Sequence, residues 1–181
     1  MSFVRAAVVF YAVMFGAALI VGKARGVPLF FDPARSSVRL VWLGLVAGSA
    51  FGGVVALLTR KLHGRSRGLD ELFGHFAKTI GPVGWREAFV LASTSAVAEE
   101  ALFRGAIQPA IGLMWASIVF GLVHIPPRVS LVTWTAFALG VGFALGWLAD
   151  RTGNLAGPIA AHFVMNLFNL ELAGRVAKGA A

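Results

Sequence analysis

The sequence predicts an all-α, polytopic transmembrane helix bundle, and three observations lead there. The chain has 181 residues, of which 58% are hydrophobic and 13% charged; a soluble domain is roughly 45–50% apolar and about a quarter charged. Its mean hydropathy is +0.80. The apolar residues gather into about six segments, most near the ~17–25 residues that cross a bilayer. One membrane domain, residues 1–181, is the simplest organisation, with the chemistry-bearing core at 84–172.

The first segment, Ala6–Gly22, exceeds the ~7–15 apolar residues of a signal peptide, so a retained helix is expected. The second, Leu40–Leu58, places Gly44, Gly48 and Gly52 four residues apart. Small residues at that spacing let two helices approach closely, which predicts a packing face. Between the second and third segments, "RKLHGRSRGLDELFGHFAKTIGP" (Arg60–Pro82) is basic at first and then amphipathic. Leu69, Leu72, Phe73, Phe76 and Ile80 recur at helical spacing, which predicts a short interfacial helix. His63 and His75 fall here and read as ordinary interfacial histidines.

The third to sixth segments run Gly84–Phe103, Ile107–Ile125, Leu131–Leu148 and Ala156–Leu172. The fifth repeats the glycine spacing at Gly142 and Gly146, again read as packing. No internal repeat is evident, whereas a proton-coupled transporter favours repeats and broken helices in matched halves.

Net charge is +8. The cations flank the apolar segments, as loops facing anionic lipid do, and form no stripe suited to nucleic acid. With the amino terminus inside, ten Lys/Arg, among them Arg60, Lys61, Arg65 and Arg128, lie on the cytoplasmic side against six, among them Arg25, Arg35 and Arg151. That favours an inside amino terminus. The chain has no cysteine, which excludes disulfides, iron–sulfur clusters and thiolate zinc sites.

Few strongly polar side chains remain within the last four segments: Glu99, Glu100, His124, His162, Asn166 and Asn169, with Arg104 at a segment end. Intramembrane ionisable groups are costly and point to function. Glu100 and Arg104, four apart on one helix, can pair and reduce the cost of burial. Glu99 points about 100° away from that pair, and a carboxylate held in such a medium suits a general base. His162 and Asn166 share a face, and Asn169 extends it as a structural amide. Phe120, one turn before His124, would shield one side of its ring.

Depth provides a check. Glu99, near the end of its segment, and His162, near the start of its own, lie within a few ångströms of one level. His124 fits less well: a tight turn near Gly105–Ile107 would leave it about 13 Å away. Pro109 and Gly112 suggest that "GAIQPAIG" is a non-helical or re-entrant connector that removes the discrepancy.

Glu99-Glu100-x-x-x-Arg104, Phe120-x-x-x-His124 and His162-x-x-x-Asn166, in that order, resemble the motifs of the CPBP family, the CAAX-protease, Abi and Rce1-like intramembrane proteases. The resemblance covers about Trp85–Leu170. It implies peptide-bond hydrolysis, in which Glu99 and His124 activate a water, His162 and Asn166 stabilise the oxyanion, and Glu100, Arg104 and Phe120 support them. Glu99, His124 and His162 could instead hold Zn2+ or another divalent metal. There is no His-Glu-x-x-His, and a metal-free mechanism is preferred. The substrate would be a protein or peptide with a membrane-embedded or carboxy-terminal segment, met in the lipid bilayer. A prenylated CAAX tail, a secreted peptide precursor and a sorting segment of an exported protein all fit. A non-catalytic peptide-binding or immunity protein and a proton-coupled transporter are the alternatives.

Overall fold

The computed structural model describes residues 3–125 and 132–179, apart from the side chain of Thr133. Arg128 and Leu131, used above for orientation and for the start of the fifth segment, lie outside them. Among the described residues every regular element is helical, apart from a single isolated bridge between Phe31 and Asn154. Its helices are α1 (Phe3–Arg25), α2 (Val38–Leu62), α3 (Arg67–Ile80), α4 (Trp85–Glu100), a π-helical segment (Ala101–Ile107), α5 (Gln108–Leu122), α6 (Val132–Thr152) and α7 (Ala156–Ala177).

The bundle is built for lipid. Buried positions are mostly small, among them Ala88, Ala92, Ala96, Ala101, Ala106 and Ala161. Large apolar side chains such as Ile20, Val46, Trp42 and Trp115 face outward. A chain dissolved in hydrocarbon gains nothing by hiding leucines; close backbone packing and internal polar bonds hold it together instead. Among the described residues three helical stretches are long and apolar enough to cross a membrane: α1, α2 and the run Trp85–Leu122, which Gly112 interrupts. The protein is a helical membrane bundle.

The glycines of α2 pack as their spacing predicts. Gly44, Gly48, Gly52 and Ala56 form its buried face, directed at α7. A Cβ on Gly44 would come within 3.3 Å of the Gly157 backbone, and one on Gly48 or Gly52 would collide with the carbonyl of Gly157 or Ala161. α3 is amphipathic as expected, and its apolar face packs on another helix. Phe73 joins Leu172 and Ala173 of α7, with Leu69, Phe76 and Ile80 against them.

At the opposite end, the α1–α2 connection is tied to the α6–α7 turn. Asp32 N–H donates to the Gly153 carbonyl (3.0 Å), Leu155 N–H to Phe30 (3.0 Å), and the Arg35 guanidinium to Asp150 (2.8 Å). Asn154 Oδ1 accepts from Ala156 N–H (3.0 Å) and opens α7.

The connector meets expectation only in part: no turn occurs at Gly105–Ile107, and "GAIQPAIG" stays helical up to its last residue, Gly112. α4 runs through the π-helical segment into α5, and the break is confined to Gly112 (φ 81°, ψ 164°). That conformation is essentially reserved for glycine. The wide turns have a local cause: Pro109 has no N–H to return to the preceding turn, while Gln108 N–H reaches back five residues to Phe103. Beyond Gly112 the chain folds back on itself, bringing the Phe120 ring to 5.0 Å from that of Phe103.

Candidate active site

Moving the reversal from residue 106 to Gly112 removes the depth mismatch. Glu99 lies thirteen residues before Gly112 and His124 twelve after it, so in a hairpin folded there the two stand level. Glu99 Oε2 is 3.8 Å from His124 Nε2. His124 Nδ1 meets the Phe120 carbonyl at 2.7 Å. A carbonyl only accepts, so Nδ1 carries a proton, and in the neutral tautomer this fixes the bare nitrogen as Nε2, which faces Glu99. The Phe120 ring packs 4.5 Å from the imidazole, as expected, and its edge meets His162 at 6.4 Å.

Glu100 forms a second acid–imidazole pair. Its Oε1 accepts from Arg104 Nη1 (3.1 Å) and from His162 Nδ1 (2.8 Å). The ion pair with Arg104 is the one its spacing predicts. The bond to His162 is one that sequence reasoning did not assign: it gave Glu100 only Arg104 as a partner, and placed His162 with Asn166 at the depth of Glu99. The reason is rotational. Adjacent helical residues point about 100° apart, so Glu99 turns toward the returning arm of α5 and Glu100 toward α7. The two pairs also differ in exposure: side chains of Glu99 and His124 are 10% and 22% accessible, those of Glu100 and His162 0% and 5%.

Arg104 does more than neutralise Glu100. Its Nη2 donates to the Gly142 carbonyl (3.1 Å), and its guanidinium lies 4.2 Å over the Phe120 ring. One turn on, Gln108 Nε2 donates to the Gly146 carbonyl (3.0 Å). Gly142 and Gly146 were read as packing residues. They do pack, and lacking side chains they also present their carbonyls to Arg104 and Gln108. The matched four-residue spacings were visible in the sequence, but Gln108 was not singled out.

Asn166, one turn after His162, donates from Nδ2 to Ser95 Oγ (3.0 Å), and Ser95 lies one turn before Glu99. Asn169 Oδ1 is buried without a partner among the described residues. These amides line one end of a cavity of about 490 Å³ whose other walls are largely apolar, including Leu72, Phe73, Phe76 and Phe137. Tyr11 of α1 lines the same cavity beside Ser95. Sequence reasoning missed it, although a single tyrosine in an apolar helix was a signal. His63 and His75 stay apart from the site: His63 is 2.8 Å from Asp70, and His75 packs on Phe76.

Among the described residues no three His, Cys, Asp or Glu side chains are grouped to hold an ion. His162 Nδ1 is committed to Glu100.

Comparison with known proteins agrees with the motifs. Residues 82–168 match the family model described as type II CAAX prenyl endopeptidase Rce1-like. A Bacillus subtilis (strain 168) protein named "Uncharacterized protein YpbD" is 41% identical over 73 residues, 39% of this chain and 37% of that protein. The chain thus matches little more than a third of that relative's length. No solved structure matches.

Proposed function

We propose that this chain, whose residues 82–168 are of the Rce1-like family of membrane proteases, is an intramembrane endopeptidase. It cleaves a membrane-associated or exported protein or peptide near its terminus. The observation that carries the reading is the opposition of Glu99 Oε2 and His124 Nε2 at 3.8 Å. Two acceptors at that separation are too far apart for a direct bond and suit a water that donates a proton to each.

In that arrangement Glu99 takes the proton as the water oxygen attacks the scissile carbonyl. The new C–O bond leaves negative charge on the former carbonyl oxygen. Asn166 keeps a second Nδ2–H free after bonding Ser95, and aims it at that charge. With Nδ1 bonded to Glu100, His162 can add an N–H from Nε2 only as the imidazolium, whose charge Glu100 balances. The proton then passes from Glu99 to the departing amine as the C–N bond breaks.

Hydrolysis in this reading is metal-free, supported by the donor sets above. If the amino terminus is cytoplasmic, His162, near the start of α7, lies in the outer half of the bilayer. That favours an exported substrate of the bacterial inner membrane over a cytoplasmic lipidated tail.

The test is comparative proteomics of membrane and secreted proteins from cells carrying the wild-type chain or Glu99→Gln. Processing of a small substrate set stops in Glu99→Gln at equal protein level. Unchanged processing removes the endopeptidase reading.

A further inference from the structure

The family match begins at residue 82, and every side chain in the mechanism above lies beyond it. α1 lies wholly before it, yet packs on α4 and on the π-helical segment. It carries the chain's single tyrosine, and it turns that residue inward. Tyr11 lies at the polar end of the 490 Å³ cavity beside Ser95 and Asn166, while Phe10, Val9 and Val13 of the same helix face outward.

The phenol and Ser95 line the same cavity, and Glu99 follows Ser95 by one turn on the same face of α4. Ser95 Oγ already accepts from Asn166. Glu99 Oε2 and Glu100 Oε2 are both buried without a hydrogen-bond partner among the described residues, but Glu100 is anchored through Oε1 by Arg104 and His162. A carboxylate acting as base needs a fixed direction, and an unrestrained one samples several rotamers. A phenol is a donor with only two side-chain torsions, cheap to hold in place.

Resting on the endopeptidase reading for its role, we propose that Tyr11 is a positioning residue of the site, donating its phenolic O–H to Glu99 and aiming that carboxylate at His124. The site is then not complete within the matched segment: α1 supplies one donor from outside it. Tyr11 touches neither water nor peptide in this arrangement, and acts through Glu99.

Because the chain has one tyrosine, its tyrosine spectrum belongs to Tyr11 alone. Ultraviolet resonance Raman of the purified full chain in detergent reads the tyrosine Fermi doublet, whose intensity ratio distinguishes a strongly donating phenol from one that does not donate. The expected result is a strong donor in the wild type that weakens in Glu99→Gln. Tyr11→Phe, which removes only the hydroxyl, slows processing of the same substrates about tenfold, the rate cost of about 1.4 kcal/mol.

A wild-type doublet typical of a non-donating phenol overturns the proposal, and so does a ratio that Glu99→Gln leaves unchanged. The wild-type spectrum decides even if a variant fails to fold. Loss of the endopeptidase reading would appear separately, as intact processing in Glu99→Gln, and would not alter the Raman result.

Discussion

His162 Nδ1 is hydrogen-bonded to Glu100 at 2.8 Å, and its ring belongs to a different acid from that of His124. Two adjacent carboxylates therefore serve two imidazoles. The accessible pair, Glu99 with His124, suits proton transfer; the dry pair, Glu100 with His162, holds a ring in place.

Glu100→Gln should harm both folding and chemistry. Arg104 would be left buried with no anion, and removing one partner of a buried ion pair costs about 3–5 kcal/mol. A lowered melting temperature in detergent and loss of processing are expected. Arg104→Met added to Glu100→Gln should recover part of the stability but none of the processing. Thermal unfolding of the two variants against wild type checks this.

Gly112→Ala tests the hairpin. No atom lies within 4 Å of a Cβ built there, so any effect comes from the backbone. Holding a residue with a side chain at φ 81° should cost roughly 1–3 kcal/mol. Relaxing that strain would swing the returning arm and separate His124 from Glu99. Processing should fall more than stability does. Gly140→Ala, also with open space at its Cβ and no positive φ, is the matched control and should behave as wild type.

The α2–α7 contact predicts a contrast between neighbouring glycines. Gly48→Ala places a methyl group against the Gly157 carbonyl, whereas Gly53→Ala meets nothing within 4 Å. The first should destabilise by about 1–3 kcal/mol through overpacking, and the second should be neutral. Detergent melting curves give both numbers.

Asn166→Ala should lower the turnover rate by about 10²–10³-fold, the usual loss on removing an oxyanion donor. KM should change little, because the lost bond forms as charge develops. Ser95→Ala, which removes only the acceptor that orients the amide, should cost less. Rates of cleavage of one processed substrate by each variant distinguish the two effects.

Exhaustive chelation should leave processing unchanged in purified membranes. Activity lost on chelation and restored by Zn2+ would overturn the metal-free reading.

Much of the fold was readable because membranes impose simple rules. The apolar segments of α1 and α2, the amphipathic pattern of α3 and the small-residue face of α2 all follow from residue type and helical period. The Glu100–Arg104 pair was legible for the same reason, since both ends lie on one helix. The position of the reversal was not. "GAIQPAIG" offers Gly105, Pro109 and Gly112 as breakers, and local propensity ranks them without choosing. Proline stays in the helix here because the π-helical turns absorb its missing N–H, and the break falls instead to the glycine with positive φ.

The sequence alone determined that a chain built for lipid carries acids, imidazoles and amides at membrane depth, because each such group has a solvation cost no apolar segment bears without a partner. Only the tertiary structure decided the pairing. Glu99 and Glu100 are neighbours in sequence, yet which faces α5 and which faces α7 depends on how three helices are rotated against one another. That rotation is set by glycine contacts and carbonyl bonds from elsewhere in the chain, so no local pattern around the two glutamates contains it.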